Sequence, residues 1–160
     1  MNYRALNPIY ARAPLSGRGA ELYGGRFNAR GTPAFYTSLT IMTALKEANQ
    51  VGSLQPTTLA SYEADIENVC DCRDQTALRS HGMDAEALTD PTWRDQMKLS
   101  GELRTQSFAR QLAASGYYGL IVKSFAPAST NEDLNFVLWK WGSLAPCRLV
   151  LVDDDNRISK

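Results

Sequence analysis

Residues 24–36 read GGRFNARGTPAFY, and the rest of the chain can be interpreted outward from this stretch. Its glycines, its Asn and its Pro are turn formers, and more glycines and prolines lie before it in the sequence. Residues 1–33 as a whole are therefore predicted to be mostly loop. Residues 34–37 are mainly apolar and aromatic and predict a short strand that directly follows the loop. The two glycines before Arg26 leave room for a pyrophosphate to approach its guanidinium, but from the residues alone a surface arginine that caps a turn is the favoured interpretation.

A helix is predicted immediately after this strand, from Thr37 to about Gln50, with Ser or Thr as its cap and Gly52 at its end. The apolar residues that share one stripe of this helix, and are expected to face the core, are Ile41, Leu45 and Ala48. Glu47 lies about 130° from that stripe, at ~100° per residue, beside small side chains. Two interpretations follow, a solvated surface carboxylate or a carboxylate that overlooks a cleft, and spacing alone favours the surface.

Strands and helices continue to alternate along the rest of the chain. Apolar and polar residues alternate over 58–66 and predict a half-buried strand. Helices are predicted at 84–89 and 103–115, and further strands at 119–123, 134–141 and 148–152. Strands on both sides of helices predict one α+β (mixed α/β) domain over residues 1–160, with a mixed β-sheet core flanked by helices.

Composition excludes several classes of protein. The 160 residues carry 17 Lys and Arg against 17 Asp and Glu, so the chain lacks the broad basic field of a nucleic-acid-binding protein. No apolar run approaches the ~18 residues of a membrane span, and the N-terminus lacks a signal peptide, which predicts a cytoplasmic protein with reduced cysteines. One His and three Cys without zinc-type spacing predict no metal site. Leu22 stands where a dinucleotide-binding loop needs its last glycine, which excludes that motif.

Several separated motifs resemble the RES-domain family in type and in order. Residues 24–36 match the family pattern G-G-R-W-N-x-x-G-x-P-x-x-Y with Phe27 in place of Trp, and ALKE follows at residues 44–47. The strand at 119–124 is similar to a family strand that ends in Pro-Ser, with Lys123 in place of Pro. LNFVLW at 134–139 resembles the family's N-L-V-L-F/W strand. The resemblance extends from about Tyr3 to Val152.

This resemblance implies a fold similar to the ADP-ribosyltransferase toxins and a role as the toxin of a type II toxin–antitoxin system. Members of the family deplete NAD+ by cleaving its nicotinamide–ribose bond, by phosphorolysis to ADP-ribose 1''-phosphate and nicotinamide or by hydrolysis. NAD+ is then the substrate, inorganic phosphate is a co-substrate of the phosphorolytic reaction, and no cofactor is expected. The implied partners are a second copy of the chain and an Xre-type antitoxin, to which any DNA binding would belong.

The resemblance also implies roles for individual residues. Glu47 matches the family's catalytic Glu, and its carboxylate can bond ribose hydroxyls and offset positive charge that develops on the sugar. Arg26 matches the family's Arg, and its fork suits two oxyanions of a pyrophosphate. Arg4 resembles an upstream family arginine that binds phosphate.

The remaining implied site residues are aromatic or polar. Tyr36 matches the family's Tyr, whose ring can stack on nicotinamide; packing in the core is the alternative. Ser124 at the end of its strand matches the family's Ser, with Ser107 and Ser129 as competitors. Asn135 is implied to contact substrate or to orient a neighbouring group; capping of a turn is the alternative.

Two other functions remain open from the sequence. One is a mono-ADP-ribosyltransferase that modifies a macromolecular target, and the other is a non-catalytic module that binds NAD or ADP-ribose. The joint presence of Arg26, Tyr36 and Glu47 argues against the second, because a pure binding module does not need the carboxylate.

Overall fold

A computed structural model describes residues 1–50 and 53–158 of the chain. Within these residues seven strands form one mixed sheet and six α-helices surround it, so the predicted mixed-sheet α+β fold is confirmed. The strands are β1 (Asn2–Leu6), β2 (Phe35–Ser38), β3 (Thr58–Ile66), β4 (Val69–Asp71), β5 (Gly119–Lys123), β6 (Leu134–Leu138) and β7 (Cys147–Leu151). The helices are α1 (Arg18–Tyr23), α2 (Ile41–Ala48), α3 (Gln75–Ser80), α4 (Ala85–Thr89), α5 (Trp93–Ser100) and α6 (Arg104–Ala114). None of the helices in the described part is long and apolar enough to cross a membrane.

The strands lie in the order β4-β5-β6-β2-β1-β3-β7. Neighbouring strands pair antiparallel, except that β4 and β5 run parallel. Tyr36 lies opposite Val137 of β6, and Ser38 lies opposite Asn135. This register brings the end of the glycine-rich stretch beside the strand that carries Asn135.

Two apolar clusters cover the two faces of the sheet, because successive residues of a strand point to opposite faces. Val137 joins the cluster that packs α3, α4 and α6 onto the sheet through Leu78, Leu88 and Phe108. Phe136 and Leu138 join the other cluster, which includes Phe35, Tyr62 and Leu149. The three cysteines, Cys70, Cys72 and Cys147, are buried free thiols.

The helix after β2 differs from its prediction. It begins at Ile41 rather than Thr37, because β2 continues to Ser38 and the Thr40 hydroxyl caps the helix by accepting from the N–H of Thr43. Its fully buried residues are Thr43 and Ala44, whereas Ile41 is 47% exposed. The expected Ile41–Leu45–Ala48 core stripe is therefore wrong, and the buried stripe lies on the side of Glu47. The predicted end at Gly52 lies outside the described residues.

The prediction of loop for residues 1–33 is wrong at two places. Asn2–Leu6 forms β1, which pairs with β3 along its whole length, and Arg18–Tyr23 forms a short helix. The strand predicted at 134–141 ends earlier, at Leu138. The strand predicted at 148–152 begins one residue earlier, at Cys147. Long-range pairing, which local sequence patterns do not report, accounts for β1.

Candidate active site

A cleft of about 550 Å³ lies between the glycine-rich stretch, α2, the start of α5 and the strands β1, β2 and β6. This volume is within the usual range of small-molecule sites, roughly 300–1,000 Å³. The charged residues that contribute to its walls are Arg4, Arg26, Arg94 and Glu47. Three arginines and one carboxylate give the walls a net positive charge, which favours an anionic ligand.

Glu47 enters the cleft from the last turn of α2, and both of its carboxylate oxygens accept hydrogen bonds. Oε1 accepts from the Ser124 hydroxyl at 2.5 Å and from the Asn135 amide at 2.5 Å. Oε2 accepts from the side-chain amide of Gln50. Three neutral donors, from the segment that follows α2, from β6 and from the residue that follows β5, therefore fix the carboxylate without neutralising its charge. The surface interpretation of Glu47 is wrong, since this side chain lines the cleft.

Ser124 lies behind Glu47 and outside the cleft lining. It is 8% exposed, and its hydroxyl also lies 2.9 Å from that of Ser129 and accepts from the N–H of Ala126. Of the competing serines, Ser129 contacts Ser124 rather than Glu47. Ser107 contacts Arg110 on α6. The structure brings Ser124, and neither competitor, into direct contact with the carboxylate.

Asn135 lines the cleft and orients Glu47 through its own fixed amide. Its Oδ1 accepts from the buried hydroxyl of Ser38 at 2.8 Å, which leaves its NH₂ group directed at Glu47. Ser38 and Asn135 lie opposite each other on β2 and β6, so the sheet register itself sets this geometry. Asn135 therefore orients the carboxylate, which is one of the roles considered from the sequence.

Asp133 holds the helix of Glu47 and the backbone of Ser124 together. Its carboxylate accepts from the Thr43 hydroxyl at 2.7 Å, from Lys46 Nζ at 2.9 Å and from the N–H and hydroxyl of Thr130. Its carbonyl accepts from the N–H of Ser124 at 2.7 Å. These donors, with the Thr130 N–H first, hold the pKa of Asp133 well below its ordinary value.

Arg26 is 8% exposed and belongs to the wall of the cleft formed by the glycine-rich stretch. Its Nη1 donates to the carbonyls of Leu88 at 2.8 Å and Asp90 at 2.9 Å, and its guanidinium lies over the rings of Phe125 (4.2 Å) and Trp93 (5.3 Å). Burial, and then the like charge of Arg94, lower its pKa to about 10. Arg26 thus connects the glycine-rich stretch to the segment that leads into α5, and it lines the cleft.

Tyr36 also lines the cleft, but the glycine-rich stretch occupies its hydroxyl. This hydroxyl donates to Asn28 Oδ1 at 2.7 Å and accepts from the N–H of Phe27 at 3.0 Å. Burial raises the pKa of Tyr36 far above the physiological range, so the phenol stays protonated. The ring is left to contact a ligand, while the hydroxyl maintains the shape of the loop.

Arg4 is directed away from the carboxylate. It contributes to the wall of the cleft, yet its Nη1 donates to the carbonyls of Ser16 (3.0 Å) and Pro14 (3.4 Å), and its guanidinium lies 4.7 Å from the centre of the Phe35 ring. Phe35 belongs to the apolar cluster on the other face of the sheet. Arg4 thus holds the loop that leads into α1 in place.

Three cleft residues carry no signal in the sequence motifs: Gln50, Trp93 and Arg94. The Arg94 guanidinium donates to Gln50 Oε1 at 3.0 Å and stacks on the Trp93 ring at 4.5 Å. Gln50 in turn donates to Glu47. The charge of Arg94 was the one signal in the sequence, but its link to Glu47 through Gln50, across 47 positions of sequence, follows only from the fold.

The fold and the site together define the class: a mixed-sheet α+β domain with one fixed carboxylate in an arginine-lined cleft. The chain belongs to the RES domain family, whose model matches residues 2–154. This confirms the family expected from the motifs. None of the curated proteins compared with the chain matches it.

Among solved structures, a chain of the M. tuberculosis MbcT–MbcA toxin–antitoxin complex is similar to this one. The TM-score is 0.62 at 19% sequence identity, and the match covers 95% of this chain and 80% of that chain. A similarity at this identity concerns the fold. It supports the mixed-sheet architecture independently of the motifs.

Proposed function

We propose that this chain is the toxin of a type II toxin–antitoxin pair, and that it depletes NAD+ by cleaving the bond between nicotinamide and ribose. The observation that carries the proposal is the Glu47 carboxylate, held at the wall of the cleft by two donors at 2.5 Å. Membership of the RES domain family and the fold shared with a chain of a toxin–antitoxin complex support it.

The reaction does not depend strongly on a general acid. The nicotinamide of NAD+ is cationic, so it leaves as a neutral molecule when the electron pair of the C1–N bond passes to its ring nitrogen. Positive charge then develops on the ribose, and a fixed carboxylate beside it stabilises the transition state more than the ground state. The charge on Glu47 supplies this stabilisation, and its oxygens can accept from the ribose hydroxyls.

The acceptor is inorganic phosphate or water. With phosphate, a phosphate oxygen bonds to C1 and the products are ADP-ribose 1''-phosphate and nicotinamide; with water, the product is ADP-ribose. In either case the acceptor proton is released to solvent. NAD+ is a substrate here and no cofactor takes part.

The other cleft residues fit substrate positioning. The Tyr36 ring is suited to stack on nicotinamide, and Arg26 supplies positive charge in the same cleft as Glu47. Asn135 acts by orienting the carboxylate, and Ser124 acts from behind it. Arg4 contributes through the loop that it holds.

The proposed partners are an Xre-type antitoxin and a second copy of the chain, in the cytoplasm. The similarity to a chain of a toxin–antitoxin complex supports the antitoxin. Light scattering of the purified chain tests the dimer, since a mass near 17.7 kDa would contradict it.

One assay tests the activity. The purified protein is incubated with NAD+, with and without phosphate, and the products are identified by mass. We expect nicotinamide together with ADP-ribose 1''-phosphate or ADP-ribose. E47Q and E47A should reduce turnover by about a hundred- to a thousandfold. E63Q is the matched control, because Glu63 is exposed on β3 and pairs with Arg148 outside the cleft.

The same assay separates the alternatives. ADP-ribose found on protein or nucleic acid, in place of free product, would identify a mono-ADP-ribosyltransferase. NAD+ that binds but stays intact would identify a non-catalytic module and overturn the proposal. Near wild-type turnover in E47Q would overturn the role of Glu47.

A further inference from the structure

Arg94 is the most accessible cation of the cleft. Its side chain is exposed, whereas Arg26 is buried and Arg4 is occupied by the carbonyls of a loop. In the described part of the chain its guanidinium makes one hydrogen bond, to the neutral Gln50 amide, and no ion pair. Four of its five N–H groups therefore stay available to a ligand.

The acidic residues around Arg94 are held by other partners. The carboxylate of Asp90 accepts from Thr92 and from Gln96, and that of Asp95 pairs with Lys98. The side-chain amide of Gln50 lies between Glu47 and Arg94 and contacts both of them. No carboxylate within the described residues thus neutralises Arg94 directly.

Two guanidinium groups lie near one aromatic ring at the mouth of the cleft. Arg94 lies 4.5 Å and Arg26 lies 5.3 Å from the centre of the Trp93 ring. Their like charges repel, and this repulsion contributes to the lowered pKa of Arg26. An anion that bound between them would relieve the repulsion and accept from N–H groups that have no partner among residues 1–50 and 53–158.

We infer that Arg94 binds a phosphate oxyanion of the substrates, and that Gln50 holds its guanidinium beside Glu47. Gln50 donates to Glu47 Oε2 and accepts from Arg94, so it connects the two groups directly. The oxyanion comes from the pyrophosphate of NAD+ or from the inorganic phosphate that attacks the ribose. This inference rests on the proposed function.

Steady-state kinetics of R94Q and R94K distinguish the two sources. NAD+ is varied at saturating phosphate, and phosphate is varied at saturating NAD+. We expect R94Q to raise the KM of one of the two substrates by about tenfold or more, with kcat within about threefold, because a charge-assisted hydrogen bond is lost. R94K keeps the charge without the fork and should fall between R94Q and wild type. An increase for NAD+ assigns the pyrophosphate, and an increase for phosphate assigns the acceptor.

R110Q is the matched control, because Arg110 is exposed on α6 and pairs with Glu102 away from the cleft. It should leave both KM values unchanged. Calorimetry provides a measurement that does not need turnover: NAD+ and phosphate are titrated separately into E47Q and into E47Q/R94Q. Weaker binding of either anion in the double variant supports the inference. Equal binding of both, or KM values of R94Q within about twofold of wild type, overturns it.

The two failures are distinguishable. If wild type leaves NAD+ intact, the proposed function is wrong, and the titrations still report whether Arg94 binds an anion. If wild type cleaves NAD+ but R94Q changes kcat alone, the proposed function stands and the inference about Arg94 is wrong.

Discussion

Asp133 Oδ2 lies 2.9 Å from Lys46 Nζ, and this ion pair joins the loop between β5 and β6 to the helix that carries Glu47. Lys46 directly precedes Glu47 in sequence, and the Asp133 carbonyl accepts from the N–H of Ser124. One buried aspartate therefore sets the relative position of the carboxylate and of the hydroxyl that holds it. Its side chain acts on α2 and its main chain acts on the end of β5.

The first prediction concerns the pH dependence of this contact. The pKa of Asp133 is lowered in the folded protein from an ordinary value of 3.8, so its stabilising effect is complete above about pH 4 and is lost as the pH falls further. D133N lacks this effect at every pH. The difference in free energy of unfolding between wild type and D133N, measured by urea denaturation, should be largest at pH 7 and should shrink below about pH 4.

D65N is the control for this experiment. Asp65 is exposed on β3 and makes no side-chain hydrogen bond or ion pair with the described residues. Its replacement should change stability little at either pH. A gap between wild type and D133N that stayed constant from pH 7 to pH 3 would contradict the assigned contacts of Asp133.

The second prediction separates three serines. Ser124 donates directly to Glu47 at 2.5 Å, Ser129 contacts Ser124 at 2.9 Å, and Ser107 lies on α6. S124A should reduce NAD+ turnover by about tenfold to a hundredfold, because it removes one of the donors that orient the charged carboxylate. S129A should have a smaller effect, and S107A should have none. Equal turnover in S124A and S107A would contradict the placement of Ser124 behind Glu47.

The strands that could be predicted from sequence are those with a strong local pattern. Thr58–Ile66 and Gly119–Lys123 have the predicted bounds, because apolar alternation or an apolar run is a property of the segment itself. Asn2–Leu6 lacks such a pattern and forms a strand because β3 and β2 supply its hydrogen bonds. Pairing between distant segments is what local sequence does not encode.

The site shows the same division between local and long-range information. The motifs nominated Glu47, but the apolar stripe of its helix indicated the wrong face, because the buried stripe contains Thr43, whose hydroxyl is satisfied by Asp133. A buried polar residue is stable where it has a partner, and here that partner lies 90 positions away in sequence. Arg94 was missed for the same reason, since only the fold connects it to Gln50.

The third prediction tests the close approach of Gly25 to Tyr36. A Cβ atom on residue 25 would lie 2.5 Å from Tyr36 Oη and 2.8 Å from Asn28 Oδ1. G25A should therefore lower the free energy of unfolding by about 1–3 kcal/mol. Y36F should lower it by about 1–2 kcal/mol, because the Phe27 N–H loses its acceptor. The double variant should cost less than the sum, since the clashing oxygen is absent.

Gly19 supplies the matched control for this cycle. A Cβ atom on Gly19 would meet no atom within 4 Å. G19A and Y36F should therefore have additive effects on the urea midpoint. If G25A and Y36F were additive as well, the hydroxyl of Tyr36 would not be what requires glycine at position 25.

The fourth prediction concerns the guanidinium of Arg26. One nitrogen of this guanidinium donates to both Leu88 and Asp90, so it fixes the segment that leads into α5 and the Trp93 ring. A lysine keeps the charge but does not reproduce the planar guanidinium. R26K should lower the free energy of unfolding by about 1–3 kcal/mol and speed amide hydrogen exchange in residues 88–93. R30K is the control, because Arg30 is exposed and, among the residues that the structure describes, donates only to the Tyr23 carbonyl. Unchanged stability and unchanged exchange in R26K would mean that the two carbonyl contacts do not hold this wall of the cleft in place.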